Sequence, residues 1–380
     1  MEPVPIPSQL YLGVNTGEDA MSEERRKVLE MLQEGKVTVE EAMRLIEAIG
    51  GGGGTGKSKE NTPLSGVDLS GAVLDGVTLD GARLEGARLN GANLENANLR
   101  DADLREANLG GTNLEEGDIE GAQLKGANLS NANLEDVNLR QAKGEGCNMQ
   151  GANLEDAVLT GATFDGASLK GANLEDVNLR DADLRGANLE GANLEDASFE
   201  GANLSGSKLT GANCEDLHAN AIDLSGLNLA GVNLEGARIE GACMRGVRLG
   251  GANLESVNFR GANLRDANLS GANLEEANFE GANLEGANLS GANLEDANFR
   301  GVDLRGADLH GRNLEGVDGR KGEPERDGKK QEDGFDFDFD FDFPDFGSFK
   351  VPKPPKAPKP PKPPKAPKPP KAPKPPKYKL

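Results

Sequence analysis

The sequence predicts an all-β solenoid, a coil with flat sides. Three observations carry this. From Leu64 to Leu314 every fifth residue is apolar, giving 51 centres with no insertion or deletion and one exception, Gly144. Two residues before most centres sits a small apolar residue, usually Ala and sometimes Val. Four of the array's five Phe, namely Phe199, Phe259, Phe279 and Phe299, share one phase of a 20-residue period. A period of five fits neither a helix, at about 3.6, nor a flat strand, at about 2. It fits a coil whose every side is five residues long, and the Phe phase closes the coil after four sides. Side chains 20 residues apart would then stack at about 4.8 Å, the strand-to-strand distance. The array makes roughly 13 coils and a rod about 60 Å long at that rise. One coil is too thin to bury a core alone, so stability must come from coil stacking on coil.

The elements follow in order. Residues 1–21 read as a disordered leader, because Met21 opens "MSEERRKVLEML", an alternative start of translation. Residues 22–49 predict a helical hairpin. Ser22 caps its first helix, Gly35 breaks it, and Thr38 with Glu41 makes a capping box for the second. Leu29, Leu32, Met43 and Ile46 lie at helical spacing. Residues 50–61, beginning with five glycines, form a flexible linker. The array occupies 62–318, and a charged linker follows at 319–333. In 334–349, Phe335, Phe337, Phe339, Phe341 and Phe343 alternate with Asp, the period of a strand. Residues 350–380 are Pro- and Lys-rich and should be extended polyproline II.

Two irregularities interrupt the array. "GANCEDLHANAIDLSGLNL" puts Cys214 and Ala219 at centres and enlarges the preceding inward positions to Leu217, Ile222 and Leu227. This reads as compensation of volume, which interiors tolerate. Gly144 in "AKGEGCNMQ" is less well compensated and marks a soft coil.

The unit A-(N/D)-L-x-x resembles the pentapeptide-repeat family over about two thirds of the chain. The resemblance implies a right-handed quadrilateral β-helix with four pentapeptides per coil. The centre Leu and the preceding Ala would point inward and the other three positions outward. Residues 22–49 resemble the short SHOCT-like hairpins attached to bacterial proteins.

The chain carries 64 acids and 42 bases, a net of −22. The signs are segregated. Within 64–318 the acids number 43 and the bases 19. The side centred on Leu74, Leu94 and so on to Leu314 holds 21 acids and one base, and the other three sides are nearly balanced. Its ladder has one acid per coil: Asp75, Glu95, Glu115, Glu135, Glu155, Glu175, Glu195, Glu215, Glu235, Glu255, Glu275, Glu295 and Glu315. A partial second column runs beside it through Glu116, Asp136, Asp156, Asp176, Asp196, Asp216, Glu276 and Asp296. The adjacent side provides a control. Its matching column reads Asp80, Arg100, Glu120, Arg140, Thr160, Arg180, Glu200, Asn220, Glu240, Arg260, Glu280, Arg300, with signs that largely alternate. Like charges about 4.8 Å apart repel by roughly 0.9 kcal/mol even in water, less once salt screens them. Glutamate as a filler that keeps a rod soluble explains acidity, but explains its confinement to one side less well.

Three partners suit such a face. The first is a basic protein surface. The second is the chain's own tail, in which Lys350, Lys353, Lys356, Lys359, Lys362, Lys365, Lys368, Lys371, Lys374 and Lys377 recur every third residue. Polyproline II would space them by about 9.3 Å, against about 9.6 Å for two coils. The third is a type II topoisomerase, since the face carries about one charge per 3 Å and a DNA strand one per about 3.4 Å. The family resemblance supports that reading through its quinolone-resistance members, thought to mimic DNA against gyrase. Against it, no loop interrupts this array and no dimerising helix follows it. The tail could also reach anionic lipid or nucleic acid, although it lacks aromatics for stacking on bases. Self-association through the hairpin or the Phe/Asp segment is a further expectation.

An enzyme is not expected. His218 and His310 are isolated at outward positions, Cys147 and Cys214 point inward, and Cys243 points outward without a histidine nearby. The "GAN" glycines belong to corners, not to a phosphate-binding loop. A flat column of Glu and Asp suggests weak, unspecific divalent-cation binding at most, so no cofactor is expected. With three distant cysteines, no signal peptide and no membrane-length apolar run, a reducing cytoplasmic compartment is expected.

Overall fold

The structure, a computed structural model, describes residues 64–313, 315 and 317. The leader, the helical hairpin, both linkers, the Phe/Asp segment and the tail lie outside the described residues.

Ala92–Asn96 shows how five residues make one side. The Ala92 N–H donates to Leu89 O at 2.9 Å and closes a four-residue turn, with Gly91 at φ 66°. A positive φ at the third residue is the type II signature. The Asn93 N–H reaches back to Ala72 O at 2.9 Å, and the Leu94 N–H reaches forward to Asn113 O at 2.6 Å. The Asn96 N–H also reaches forward, to Glu115 O at 2.9 Å. The fifth amide, of Glu95, has no backbone acceptor and is taken by the Asn93 side chain at 3.3 Å. All five donors are thus satisfied, as partly buried backbone requires. Asn and Asp are frequent before the centre because their short acceptor reaches the amide two residues on.

The period of five therefore records a turn at every fifth residue. Parallel bridges join residue i to i+20 along the array, from Asp68 with Arg88 to Asn293 with Asn313. Four pentapeptides make one coil. The sides are named here by their first centres, Leu64, Leu69, Leu74 and Leu79. Centre and preceding small residue face inward and form one continuous core of Leu, Ala, Val, Ile, Met and Phe. The rings of Phe259 and Phe279 stack at 5.0 Å and those of Phe279 and Phe299 at 4.9 Å, as the 20-residue phase predicts.

Gly144 corrects an expectation. A Cβ built there would lie 2.3 Å from the Phe164 ring, one coil further on the same side. Phe164 is fully buried and fills the space the missing leucine leaves. The coil is packed, and its backbone bonds continue through Gly144 N–H to Thr163 O at 2.7 Å.

The expectation at 214–227 holds for burial and fails for balance. Cys214, Leu217, Ala219, Ile222 and Leu227 are all buried. Yet the bridges that should join Asn203 to Asp223 and Lys208 to Asn228 are missing from an otherwise regular series. Three enlarged residues add more atoms than Cys214 and Ala219 remove. The overfilled coil separates from its predecessor on the Leu64 and Leu69 sides, where Ile222 and Leu227 precede full-sized Leu224 and Leu229. Overpacking is relieved by backbone shifts of this kind.

Candidate interaction surface

The Leu74 side carries the acidic ladder, and its geometry begins one residue earlier than the acids. Asn occupies the position before the centre in every coil from Asn93 to Asn313. Each Asn from 113 onward donates Nδ2–H to Oδ1 of the Asn one coil before, at 2.8–3.3 Å. The run is unbroken. On the Leu79 side the same column contains Val158, His218 and Arg238, and on the Leu69 side it contains Ser168, Lys208 and Arg248, so neither forms a full spine.

The second Nδ2 proton explains the glutamates. From Asn133 to Asn313, each Asn also donates to Oε2 of the Glu 18 residues earlier, from Glu115 to Glu295, at 3.1–3.3 Å. A typical spine Asn thus donates twice and accepts from the next Asn, and several also accept from their own Glu N–H. Its hydrogen-bonding capacity is nearly exhausted. Each bonded carboxylate keeps Oε1 unbonded among the described residues. A bond from an amide to a carboxylate is charge-assisted and restrains the glutamate. Glu95 to Glu295 are half-buried, whereas Asp75 and Glu315 at the two ends are exposed.

The second acidic column has a different cause. Glu116, Asp136, Asp156, Asp176, Asp196, Asp216, Glu276 and Asp296 all have φ between 52° and 57°. They occupy the left-handed corner that glycine fills elsewhere. Asp is among the few residues that visit this region with modest strain, so turn geometry favours this column apart from any partner.

Ion pairs distinguish the sides. On the Leu79 side Arg100 meets Glu120 at 2.9 Å, Arg180 meets Glu200 at 3.3 Å and Arg260 meets Glu280 at 3.9 Å. On the Leu64 side Arg105 forks onto Asp103 at 2.7 Å and Arg185 onto Asp183 at 2.7 Å. The hydrogen bond from each Arg holds its Asp carboxyl below the usual range. No ion pair among the described residues includes a ladder carboxylate.

The other candidate residues do not converge. His218 is half-buried, and His310 is exposed beside Asp308. Cys147 and Cys214 are buried, and burial pushes both thiols up to about 12. Cys243 is half-buried with its Sγ 3.1 Å from Ser225 Oγ. The Ser225 hydroxyl in turn lowers the carboxyl of nearby Asp223. Among the described residues no three of His, Cys, Asp and Glu are placed to hold a metal ion, and no helix is long and apolar enough to cross a membrane.

The spine is what sequence reasoning missed. Its signal, Asn in twelve successive coils of one side, is visible in the sequence. The period alone marks that position only as outward.

Family models agree with this architecture. The family model for pentapeptide repeats matches residues 63–101, 178–216, 207–251, 242–281 and 277–318. The model for a pentapeptide repeat region matches 118–194, and that for a SHOCT-like domain matches 23–54. No curated protein matches the chain. Among solved structures, a pentapeptide repeat protein (Rfr23) from the cyanobacterium Cyanothece 51142 is 28% identical. That match covers 30% of this chain and 91% of the other, with a TM-score of 0.29. HetL, a pentapeptide repeat protein involved in heterocyst differentiation regulation in Nostoc sp. strain PCC 7120, is 28% identical, covering 74% and 96% with a TM-score of 0.17. QnrB1, a plasmid-mediated fluoroquinolone resistance protein, is 20% identical, covering 61% and 89% with a TM-score of 0.22. The two repeat models together span most of the chain: it belongs to the pentapeptide-repeat family, whose members fold as right-handed quadrilateral β-helices, and it bears a SHOCT-like domain before the array.

Proposed function

We propose that this chain is a non-enzymatic scaffold whose rod of about 13 coils binds basic partners along the Leu74 side. One observation supports this most. The carboxylates of that side stay unneutralised through successive coils, while the neighbouring side cancels the same repulsion with inter-coil ion pairs. The Asn spine anchors one oxygen of each bonded glutamate. The partner would therefore meet a pre-ordered row of charge, and pre-ordering reduces what binding costs in side-chain entropy.

The partner nearest to hand is the chain's own tail, from Lys350 to Lys377. In a polyproline II conformation its lysines would match every second rung to within about 0.3 Å per step. Deleting residues 350–380 tests this reading. The truncated chain is expected to bind an added Lys-Pro-Pro repeat peptide more tightly at low salt than the full chain does. Equal affinity would remove the tail as an occupant.

DNA mimicry against a type II topoisomerase is the second reading, favoured by the linear charge density of the side. Inhibition of gyrase supercoiling by the full chain, relieved by Glu→Gln changes along the ladder, is its expected signature. Unimpaired supercoiling leaves the basic-partner reading in place and ends this one.

A further inference from the structure

The array breaks its own rule at one place. At most equivalent positions of the array, the amide of a centre and that of the left-handed corner residue donate to the following coil, and the amide before the centre donates to the preceding one. The amides of Gly201, Leu204, Gly206, Leu209, Gly211, Asp223 and Asn228 make no such bond. Pairing resumes on both flanks, with Phe199 N–H donating to His218 O at 2.7 Å and Cys214 N–H to Asn233 O at 2.7 Å. The gap thus spans two consecutive sides of one coil interface, the Leu64 and Leu69 sides, and leaves the Leu74 and Leu79 sides closed.

Independent features mark the same seam. Ser207 replaces the inward Ala, is 6% exposed, and its Oγ has no hydrogen-bond partner. Thr112, at an equivalent inward position, donates to Leu109 O and lies within bonding distance of Leu89 O, showing what a satisfied hydroxyl looks like here. Ala221 takes the left-handed corner at φ 55°. An Ala is strained there, because it lacks the side-chain acceptor that lets Asn or Asp visit the region. The turn bond that should follow it, Ile222 N–H to Ala219 O, is also missing. Overfilling by Leu217, Ile222 and Leu227 accounts for the separation.

We propose that this seam is a built-in hinge, at which two otherwise continuous stretches of rod bend relative to each other. Each stretch is tied coil to coil on all four sides. At the seam only two adjacent sides are tied, so the paired sides act as the leaf of the hinge and the unpaired sides open and close. The Leu64 side lies opposite the Leu74 side. The Asn spine runs unbroken across the hinge from Asn193 through Asn213 to Asn233. Opening therefore curves the rod towards the corner between the Leu74 and Leu79 sides. Local openings of low free energy are expected where backbone bonds are few and packing is imperfect. The hinge stands whether or not the ladder binds a partner.

Two measurements on the full chain test it. In native-state hydrogen exchange, the amides of Leu204, Leu209, Asp223 and Asn228 should exchange at least about 100-fold faster than those at equivalent paired positions, such as Leu184, Leu189, Asn263 and Asn268. Uniform protection through the seam would overturn the proposal. Relieving the overfilling with Ile222→Ala and Leu227→Ala should slow the seam amides towards their neighbours. The second measurement leaves the overfilling residues unaltered. On a Cys243→Ser background, spin labels at Arg185 and Glu285 straddle the hinge, and labels at Glu85 and Arg185 do not. Both pairs lie five coils apart on one side, about 24 Å at the strand spacing. A broader distance distribution for the straddling pair is expected, and equal widths would refute the hinge.

Discussion

Asn193 accepts from Asn213 and donates to both Asn173 and Glu175. Asn193→Ala therefore strands a donor on one coil and an acceptor on the other. It should lower stability by about 1–3 kcal/mol, the range for leaving partly buried polar groups unpaired, as read by chemical denaturation. Asn138 bonds Asp118 and Glu120 but belongs to no continuous spine, so Asn138→Ala should disturb fewer coils. Phe164 and Gly144 form a second residue-scale pair. Phe164→Ala opens a cavity where no Gly144 side chain can reach, and should cost about 3–5 kcal/mol. Gly144→Leu clashes with the Phe164 ring and is destabilising alone. The double change Gly144→Leu with Phe164→Leu restores the regular core and should be more stable than either single variant. Thiol chemistry follows burial. In the native chain Cys243 should react with an aromatic disulfide reagent while Cys147 and Cys214, with thiols pushed up to about 12, stay inert until denaturant is added. The inward positions of both buried cysteines were legible from the period of five. The role of Asn was not, because its partners sit 18 and 20 residues away and the sequence period says only which way a side chain points.

A single side of the coil is a turn, one bridged residue flanked by one neighbour on each side, and the next turn, and its weak point is the corner. Glycine meets the positive φ without a Cβ, and Asp or Asn meets it at modest strain. Ala221 has neither advantage, so Ala221→Gly should raise stability by about 0.5–1 kcal/mol, and a fall would mean that the corner is not strained. Four sides per coil were legible from Phe199, Phe259, Phe279 and Phe299, because identical large side chains reveal stacking. The seam was only half legible. Leu217, Ile222 and Leu227 announced an irregular coil, but whether added volume is absorbed depends on the coil beneath, which no count of substitutions contains. Gly144 erred in the other direction for the same reason: its compensation comes from Phe164, a coil away.

At the scale of the whole rod, repulsion along the Leu74 side is a standing strain, which added salt should screen. Thermal stability should rise with sodium chloride between low and physiological ionic strength, and Glu→Gln changes along the ladder should weaken that dependence. Gln keeps an acceptor for the spine Asn, so the change removes charge without removing the bond. The ladder was legible in the sequence. The separate origin of the second column was not, since a left-handed corner and a binding site both select Asp. We propose that placement of charge on one side, and not acidity in general, makes the interaction surface. The most direct measurement compares two variants of equal net charge, both lacking the competing residues 350–380, by titration with a Lys-Pro-Pro repeat peptide at low salt. One carries Gln at Glu155, Glu175, Glu195, Glu215, Glu235 and Glu255; the other carries amides at Asp80, Asp101, Glu106, Glu145, Asp181 and Glu240, on other sides. At about 0.5 kcal/mol per exposed ion pair, the ladder variant should lose roughly 100-fold in affinity and the control only a few-fold. Equal losses would mean that total charge, and not its placement, governs binding.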